Sequence, residues 1–307
     1  MKRKRQTISM MFLALAASVS SAQPIAGMSS AVVLEVRRGF TEQGSITSEW
    51  MEAIRDRQSE GSLKAVARNA RAVSADESKW LSLIEERVQS WRAMIDSLRL
   101  PFVDISPPDT LTILLGNQGG NDAFSPSPST ICFDLSQLYS EYGGASSDLN
   151  RKRIDRFFAH EFTHVLHNSW AANHGLQLRT PLDLALWVCL KEGLGNYRSL
   201  SDKWVSGKGK LTDHALAVLT QLQPIFVERL SALEHATEKD APRLMEGLSM
   251  GPFEQKWGAL TVALWLAQEA AGNDRNLQKW VGTGPKGVLE LARMYLPEEI
   301  KGRLPNP

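Results

Sequence analysis

The sequence predicts an α+β fold, mainly helical, with a small sheet just ahead of its most distinctive helix. Two features carry this expectation. Apolar residues recur at helical spacing before residue 100 and again from about residue 147 to near the C-terminus. Between about 102 and 135 they give way to short β-prone runs separated by Gly119-Gly120 and Ser125-Pro-Ser-Pro128. Pro101, Pro107 and Pro108 mark the change of pattern. With 43% hydrophobic and 22% charged residues, the 307-residue chain has the composition of one sizeable core, or of a main domain with a helical extension. The expected organisation is a leader over 1–22, an N-terminal helical region over 23–100 and a main domain over 101–307.

The leader is read from Met1-Lys-Arg-Lys-Arg5, an apolar run from Ile8 to Ala17 and the small residues Ser20-Ser-Ala22. The run is shorter than the ~20 residues a membrane span needs, and no cysteine follows it to carry a lipid. The expected location is therefore periplasmic or extracellular, with no integral membrane segment after cleavage. Removing Met1–Ala22 takes four of the 35 basic and none of the 34 acidic residues, which leaves a formal charge of −3. That balance argues against nucleic acid or an anionic membrane as partner. Cys132 and Cys189 are the two cysteines. They can pair in an oxidising compartment, although two buried thiols is the reading preferred here, and neither lies in a Cys-x-x-Cys zinc pair.

After the leader, residues 30–100 read as helical. Ser74 and Glu77 form a capping box, and Trp80, Leu81, Ile84, Val88, Trp91 and Ile95 repeat at helical spacing as a core stripe. Thr112-Ile-Leu-Leu-Gly116 and Thr130-Ile-Cys-Phe-Asp134 are the strand-like runs that follow. Gly116-Asn-Gln-Gly-Gly120 lacks the Gly-Lys-Ser/Thr ending of a phosphate loop and reads as a turn near a cleft rim.

The next helix contains Arg156-Phe-Phe-Ala-His160-Glu161-Phe162-Thr163-His164-Val-Leu-His167, a complete His-Glu-x-x-His. Residues four apart on a helix lie one above the other, about 6 Å along the axis, so His160 and His164 can offer two imidazole nitrogens to one ion. Zinc accepts such nitrogens at about 2.0–2.1 Å. Glu161 is turned roughly 100° from His160, and in metalloprotease sites a Glu in this place acts on the metal-bound water. The competing reading is a helix with two satisfied histidines. Ile154, Phe157, Phe158, Phe162, Val165 and Leu166 argue against it, because polar side chains in so apolar a helix need a partner that uses them.

Glu192 is the best third ligand. A Gly at 167 and a His at 170 would continue a metzincin pattern, but His167 and Trp170 stand there. His167 lies nearly two turns from His160 on a straight helix, His174 would need a sharp turn for which no Gly is present, and Asp183 is weak. Thr180 as N-cap, Pro181 at the first helical position and Asp183 in the first turn begin a helix that is apolar all round from Leu184 to Leu190. Leu184, Val188 and Glu192 share one face, which carries a carboxylate into the core. Pairing with Lys191 at the surface is the alternative. Asn196, one turn further, can accept the ring N–H of a ligand histidine.

His160-Glu-Phe-Thr-His164, followed by Glu192-Gly-Leu-Gly-Asn-Tyr197 in an apolar helix, resembles the gluzincin metallopeptidases. More narrowly, it resembles small bacterial families of zinc-dependent proteases without an assigned substrate. The two strand-like runs above, and Trp257-Gly-Ala-Leu-Thr-Val-Ala-Leu-Trp-Leu-Ala267 downstream, look like the strands and the later buried helix of these families. The likeness spans roughly residues 100–295, specific at the two metal-binding segments and loose elsewhere. It implies a gluzincin-like fold, one zinc ion (Zn2+) per chain held by His160, His164 and Glu192, and Glu161 as general base in hydrolysis of a peptide or protein substrate. Two positions depart from the pattern. Asn196 stands where an acidic residue is common, and no residue matches the oxyanion donor, for which Tyr197, His214 and His174 are the candidates. The rival expectation is a protease-like scaffold that keeps zinc for recognition or adhesion without turnover.

Overall fold

A computed structural model describes residues 32–306, so the expected leader lies outside the described residues. The fold is mixed: among the described residues twelve α-helices accompany a four-stranded sheet, with a short two-stranded ribbon later in the chain. The chain runs β1 (Val33–Arg38), α1 (Ser48–Ile54), α2 (Glu60–Arg68), α3 (Ala75–Leu98), β2 (Thr110–Gly116), β3 (Ala123–Ser127), β4 (Thr130–Asp134) and α4 (Leu135–Tyr142). Then follow α5 (Asp148–Asn173), α6 (Pro181–Ser199), the ribbon β5 (Val205–Ser206) and β6 (Lys210–Leu211), and α7 (Asp213–Glu234). The remaining helices are α8 (Ala241–Leu244), α9 (Ala259–Ala270), α10 (Gln278–Thr283), α11 (Lys286–Tyr295) and α12 (Glu298–Lys301). Among the described residues no helix is long and apolar enough to cross a membrane.

The sheet order is β1-β2-β4-β3, with β1, β2 and β4 parallel and β3 antiparallel to β4. The reading of residues 30–100 as helical is corrected at its start. Val33–Arg38 is a strand, with Val36 opposite Ile113 of β2, and α1 to α3 form the crossover between the pair. Side chains alternate across a strand, and both faces of this sheet are covered. Leu111, Ile113, Leu115, Ile131 and Phe133 face the main core, whereas Leu114, Cys132 and Phe124 pack with Trp50, Ile54 and Val66 from α1 and α2. The main core draws on both sides of residue 100, from Trp80 and Trp91 to Phe158 and Trp265. The N-terminal segment is thus part of the body of the protein.

Helix α3 forms as its sequence predicts. Ser74 Oγ accepts the Glu77 N–H, and the Glu77 carboxylate accepts the Ser74 N–H at 2.7 Å. Arg71 holds the same carboxylate with both guanidinium nitrogens, at 2.5 and 2.7 Å. Burial works against the Glu77 charge, but these donors outweigh it and lower its pKa. Further along, Arg87 grips Asp155 of α5 at 2.9 and 3.0 Å, and Trp91 Nε1 donates to the same carboxylate at 2.9 Å. The Trp91 ring stacks on Phe158, with centroids 4.5 Å apart and planes 2° from parallel. This latch fixes α5 against α3 and the sheet.

Helix α6 starts after the expected N-cap Thr180, which forms a capping box with Asp183, and packs between α5 and α9. Helix α9 is buried almost all round, as the apolar run from Trp257 predicts. Close packing of α6 on α9 needs Gly193, where a Cβ would lie 2.6 Å from Val262 Cγ1. The two cysteines are unpaired and buried, which agrees with the thiol reading.

Candidate metal centre

Helix α5 and helix α6 bring the predicted residues together. His160 Nε2 lies 3.6 Å and His164 Nε2 3.4 Å from the two carboxylate oxygens of Glu192. Two donors held about 2.0–2.1 Å from a tetrahedral ion are themselves about 3.4 Å apart, so these separations suit donors sharing one ion. Ligand atoms of His160, Glu161 and His164 also lie within 4.8 Å of one another. Gly195 makes room for the two rings. A Cβ there would stand 2.9 Å from His160 Nε2 and Cε1 and 3.0 Å from His164 Cε1. The donor set, two imidazoles and one carboxylate, is the chemistry of a three-ligand zinc site with a fourth position left for water or substrate.

The electrostatics match this role. Burial penalises the Glu192 carboxylate, but the two histidines beside it prevail and hold its pKa well below the usual range. Burial outweighs the Glu192 contact at His164 and lowers its pKa, a shift toward the neutral form that binds a metal. Burial acts on His160 too, yet its Glu192 contact outweighs it and raises the pKa.

Outside the cluster, the supporting groups differ from those expected. Ser199 Oγ lies 3.3 Å from His160 Nδ1 and does for that ring what Asn196 was expected to do. The Asn196 side chain borders the cavity instead, and its amide nitrogen has no partner among the described residues. His164 Nδ1 is likewise buried without a partner. Glu161 is held from the sheet: Ser125 Oγ on β3 donates to its Oε2 at 3.0 Å. Ser199 continues the α6 face of Glu192 and Asn196, so helical spacing pointed to it. Nothing local in the sequence marked Ser125.

None of the three oxyanion candidates reaches the cluster, and each reading is corrected by its surroundings. The Tyr197 hydroxyl donates to Asp274 at 2.6 Å, and its pKa is raised by burial. His214 pairs with Glu254 at 3.2 Å and packs against the Trp204 ring. His174 caps the end of α5, with Nδ1 2.9 Å from the Trp170 carbonyl and its ring stacked on Trp170. His167 is buried between Phe102 and Trp187 and is no ligand either.

The cluster opens into a cavity of about 790 Å³. Edge strand β3 borders it through Ala123, Phe124 and Ser125, and among the described residues β3 has a strand neighbour on one side only. The glycine-rich turn lies beneath Trp50, whose Nε1 donates to the Asn117 carbonyl at 2.9 Å. It leads directly into Asn121 and Asp122, which border the cavity, so the turn stands near the rim without lining it. Lys191, Lys256 and Arg156 also border the cavity, and burial lowers the pKa of each. Comparison with family models, curated proteins and solved structures finds no match.

Proposed function

We propose that this protein is a zinc-dependent peptidase of the gluzincin kind, exported to the periplasm or the extracellular space. The observation that carries the reading is the convergence of His160, His164 and Glu192 at ligand-sharing distances, with Glu161 beside them. His160, His164 and Glu192 would hold one zinc ion. When bound, zinc lowers the pKa of a coordinated water toward about 7 and polarises the scissile carbonyl.

The remaining work falls to the protein's own side chains and backbone. Glu161 takes the proton of the attacking water and passes it to the leaving amine. The Ser125 hydroxyl donates to Oε2 of that carboxylate and so helps to fix its orientation. Ser199 holds the His160 ring through Nδ1 and so keeps Nε2 aimed inward. The outer edge of β3, which no strand covers among the described residues, is where an extended peptide can pair. An intact, positioned Glu161 favours turnover over a recognition scaffold, which has no use for a general base.

The test is zinc content per chain for wild type and Glu192→Ala, paired with a peptide-cleavage screen run with and without chelator. One zinc per wild-type chain, lost in Glu192→Ala, with chelator-sensitive cleavage, is the expected result. Stoichiometric zinc without cleavage would shift the reading to the recognition scaffold. Wild type unable to take up zinc would overturn the metal centre itself.

A further inference from the structure

Among the described residues, several cations without an ion-pair partner gather at one cavity. Arg87 pairs with Asp155, Arg71 with Glu77 and Arg198 with Asp274, and even surface Lys64, Lys79 and Lys203 have carboxylate partners. The cavity wall is different. It carries five cations, Arg57, Arg153, Arg156, Lys191 and Lys256, and none of them forms an ion pair among the described residues. Three make other contacts, among them Lys256, whose Nζ lies 5.5 Å from the Phe253 ring centre. The Arg57 guanidinium lies 4.6 Å from the Phe124 ring centre, and Arg153 lies 4.1 Å from that of Tyr142 and also donates to Asn150.

Arg156, Lys191 and Lys256 are partly buried yet have no carboxylate partner. A desolvated cation without a counter-ion is costly to the fold and is retained where a ligand supplies the anion. The carboxylates nearby are committed. Glu192 lies against the two histidines, Glu161 accepts from Ser125, Asp122 accepts from the Tyr142 hydroxyl at 2.6 Å, and Glu141 accepts from Gln137. A bound divalent ion would balance Glu161 and Glu192, which leaves Asp122 and Glu141 as the other carboxylates of the cavity wall, with Asp155 and Asp202 near Arg156 and Asp155 already held by Arg87.

All three line the same cavity as His160, Glu161, His164 and Glu192. Arg156 precedes His160 by one helical turn on α5, Lys191 is adjacent to Glu192 on α6, and Lys256 enters from the segment before α9. Resting on the peptidase reading above, we infer that the cleft selects substrates carrying a carboxylate next to the scissile bond, bound by Lys191, Lys256 and Arg156. That carboxylate is an acidic side chain or the free C-terminus of the substrate, and both present the same chemistry to the same cations.

The experiment uses the zinc-loaded full-length protein and a set of quenched fluorescent peptides. Each position around the scissile bond carries Glu, Gln or Lys in turn, and every peptide is made as free acid and as C-terminal amide. Acidic peptides are expected to exceed their Gln counterparts in kcat/KM by at least tenfold, with the advantage shrinking as salt rises. In Lys256→Gln and Lys191→Gln, each checked for retained zinc, the Glu-to-Gln ratio is expected to fall toward one. Lys256→Glu is expected to shift preference toward Lys peptides. Loss of cleavage on amidation assigns the carboxylate to the C-terminus, and loss on Glu→Gln exchange alone assigns it to a side chain. Equal cleavage of acidic and neutral peptides overturns this inference and leaves the peptidase reading standing. Cleavage of none of the set overturns the peptidase reading, and this inference with it.

Discussion

Substituting Gly195→Ala separates the metal centre from the fold. The new methyl would sit 2.9 Å from two His160 ring atoms and 3.0 Å from a His164 carbon, where carbon contacts ordinarily settle near 3.5–4.0 Å. The rings must therefore retreat by about 0.5 Å or more, against a tolerance of about 0.2 Å for metal–ligand distances. A displacement of that kind is expected to weaken zinc binding about 10- to 100-fold, or about 1.4–2.7 kcal/mol. Alanine within a helix gains about 1 kcal/mol over glycine, so the metal-free fold should melt close to the wild type. At saturating zinc, each tenfold loss of affinity removes about 1.4 kcal/mol of ligand-induced stabilisation. Competition with a chromogenic chelator gives the affinity, and thermal melts with and without zinc give the stabilisation. Wild-type affinity together with a full zinc-induced rise in Tm would refute the packing argument at Gly195.

Other expectations follow from the same geometry. Glu161→Gln should keep one zinc per chain and lose at least 10²-fold in kcat, the scale of general-base catalysis; activity within threefold of wild type would remove Glu161 from that role. Zinc affinity should fall with acidification. Zinc must displace a proton from His160 below that ring's raised pKa, so affinity should drop about tenfold per pH unit there and more steeply once the lower-titrating His164 joins. A chelator competition series across pH 8 to 5 that stayed flat would contradict this. Asp155→Ala leaves Arg87 and Trp91 Nε1 without their shared acceptor and should cost about 2–4 kcal/mol in urea unfolding; under 1 kcal/mol would show that the latch is dispensable. The lowered pKa of Glu77 means its contribution is present above the unfolded carboxyl value of about 4.3 and is lost as pH falls through the folded value. With Arg71 half exposed, Glu77→Gln should cost about 1–2 kcal/mol at pH 7, and the difference should vanish in acid.

Local signals explain what could be read beforehand. The capping boxes at Ser74 and Thr180 place the starts of α3 and α6 because they depend on residues within one turn. Glu192 was legible because it continues an apolar helical face, and its position opposite His160 and His164 follows once α5 and α6 pack. Strand β1 was not legible. Val33–Arg38 is short and weakly alternating, and its partner β2 comes after three intervening helices. Strand β3 was hidden by Pro126 and its serines, which resemble a break although the segment forms an edge. Tyr197, His214 and His174 misled for a related reason. A ring's spacing from a motif says nothing of which acceptor tertiary packing sets beside it, and Asp274, Glu254 and the Trp170 carbonyl were those acceptors.

The two unpaired cysteines offer a clock for the opening of this molecule. Burial raises both thiol pKa values, so neither carries appreciable thiolate in the folded state. An alkylating reagent can therefore modify each sulfur only as fast as its surroundings come apart. Cys132 lies in the small cluster with Trp50, Ile54 and Val66, and Cys189 lies in the main core beneath α9. Their labelling rates time two separate events, release of α1 and α2 from the sheet and separation of α6 from α9. Equal rates would mean that the layer outside the sheet and the interior behind the metal site yield as one cooperative unit.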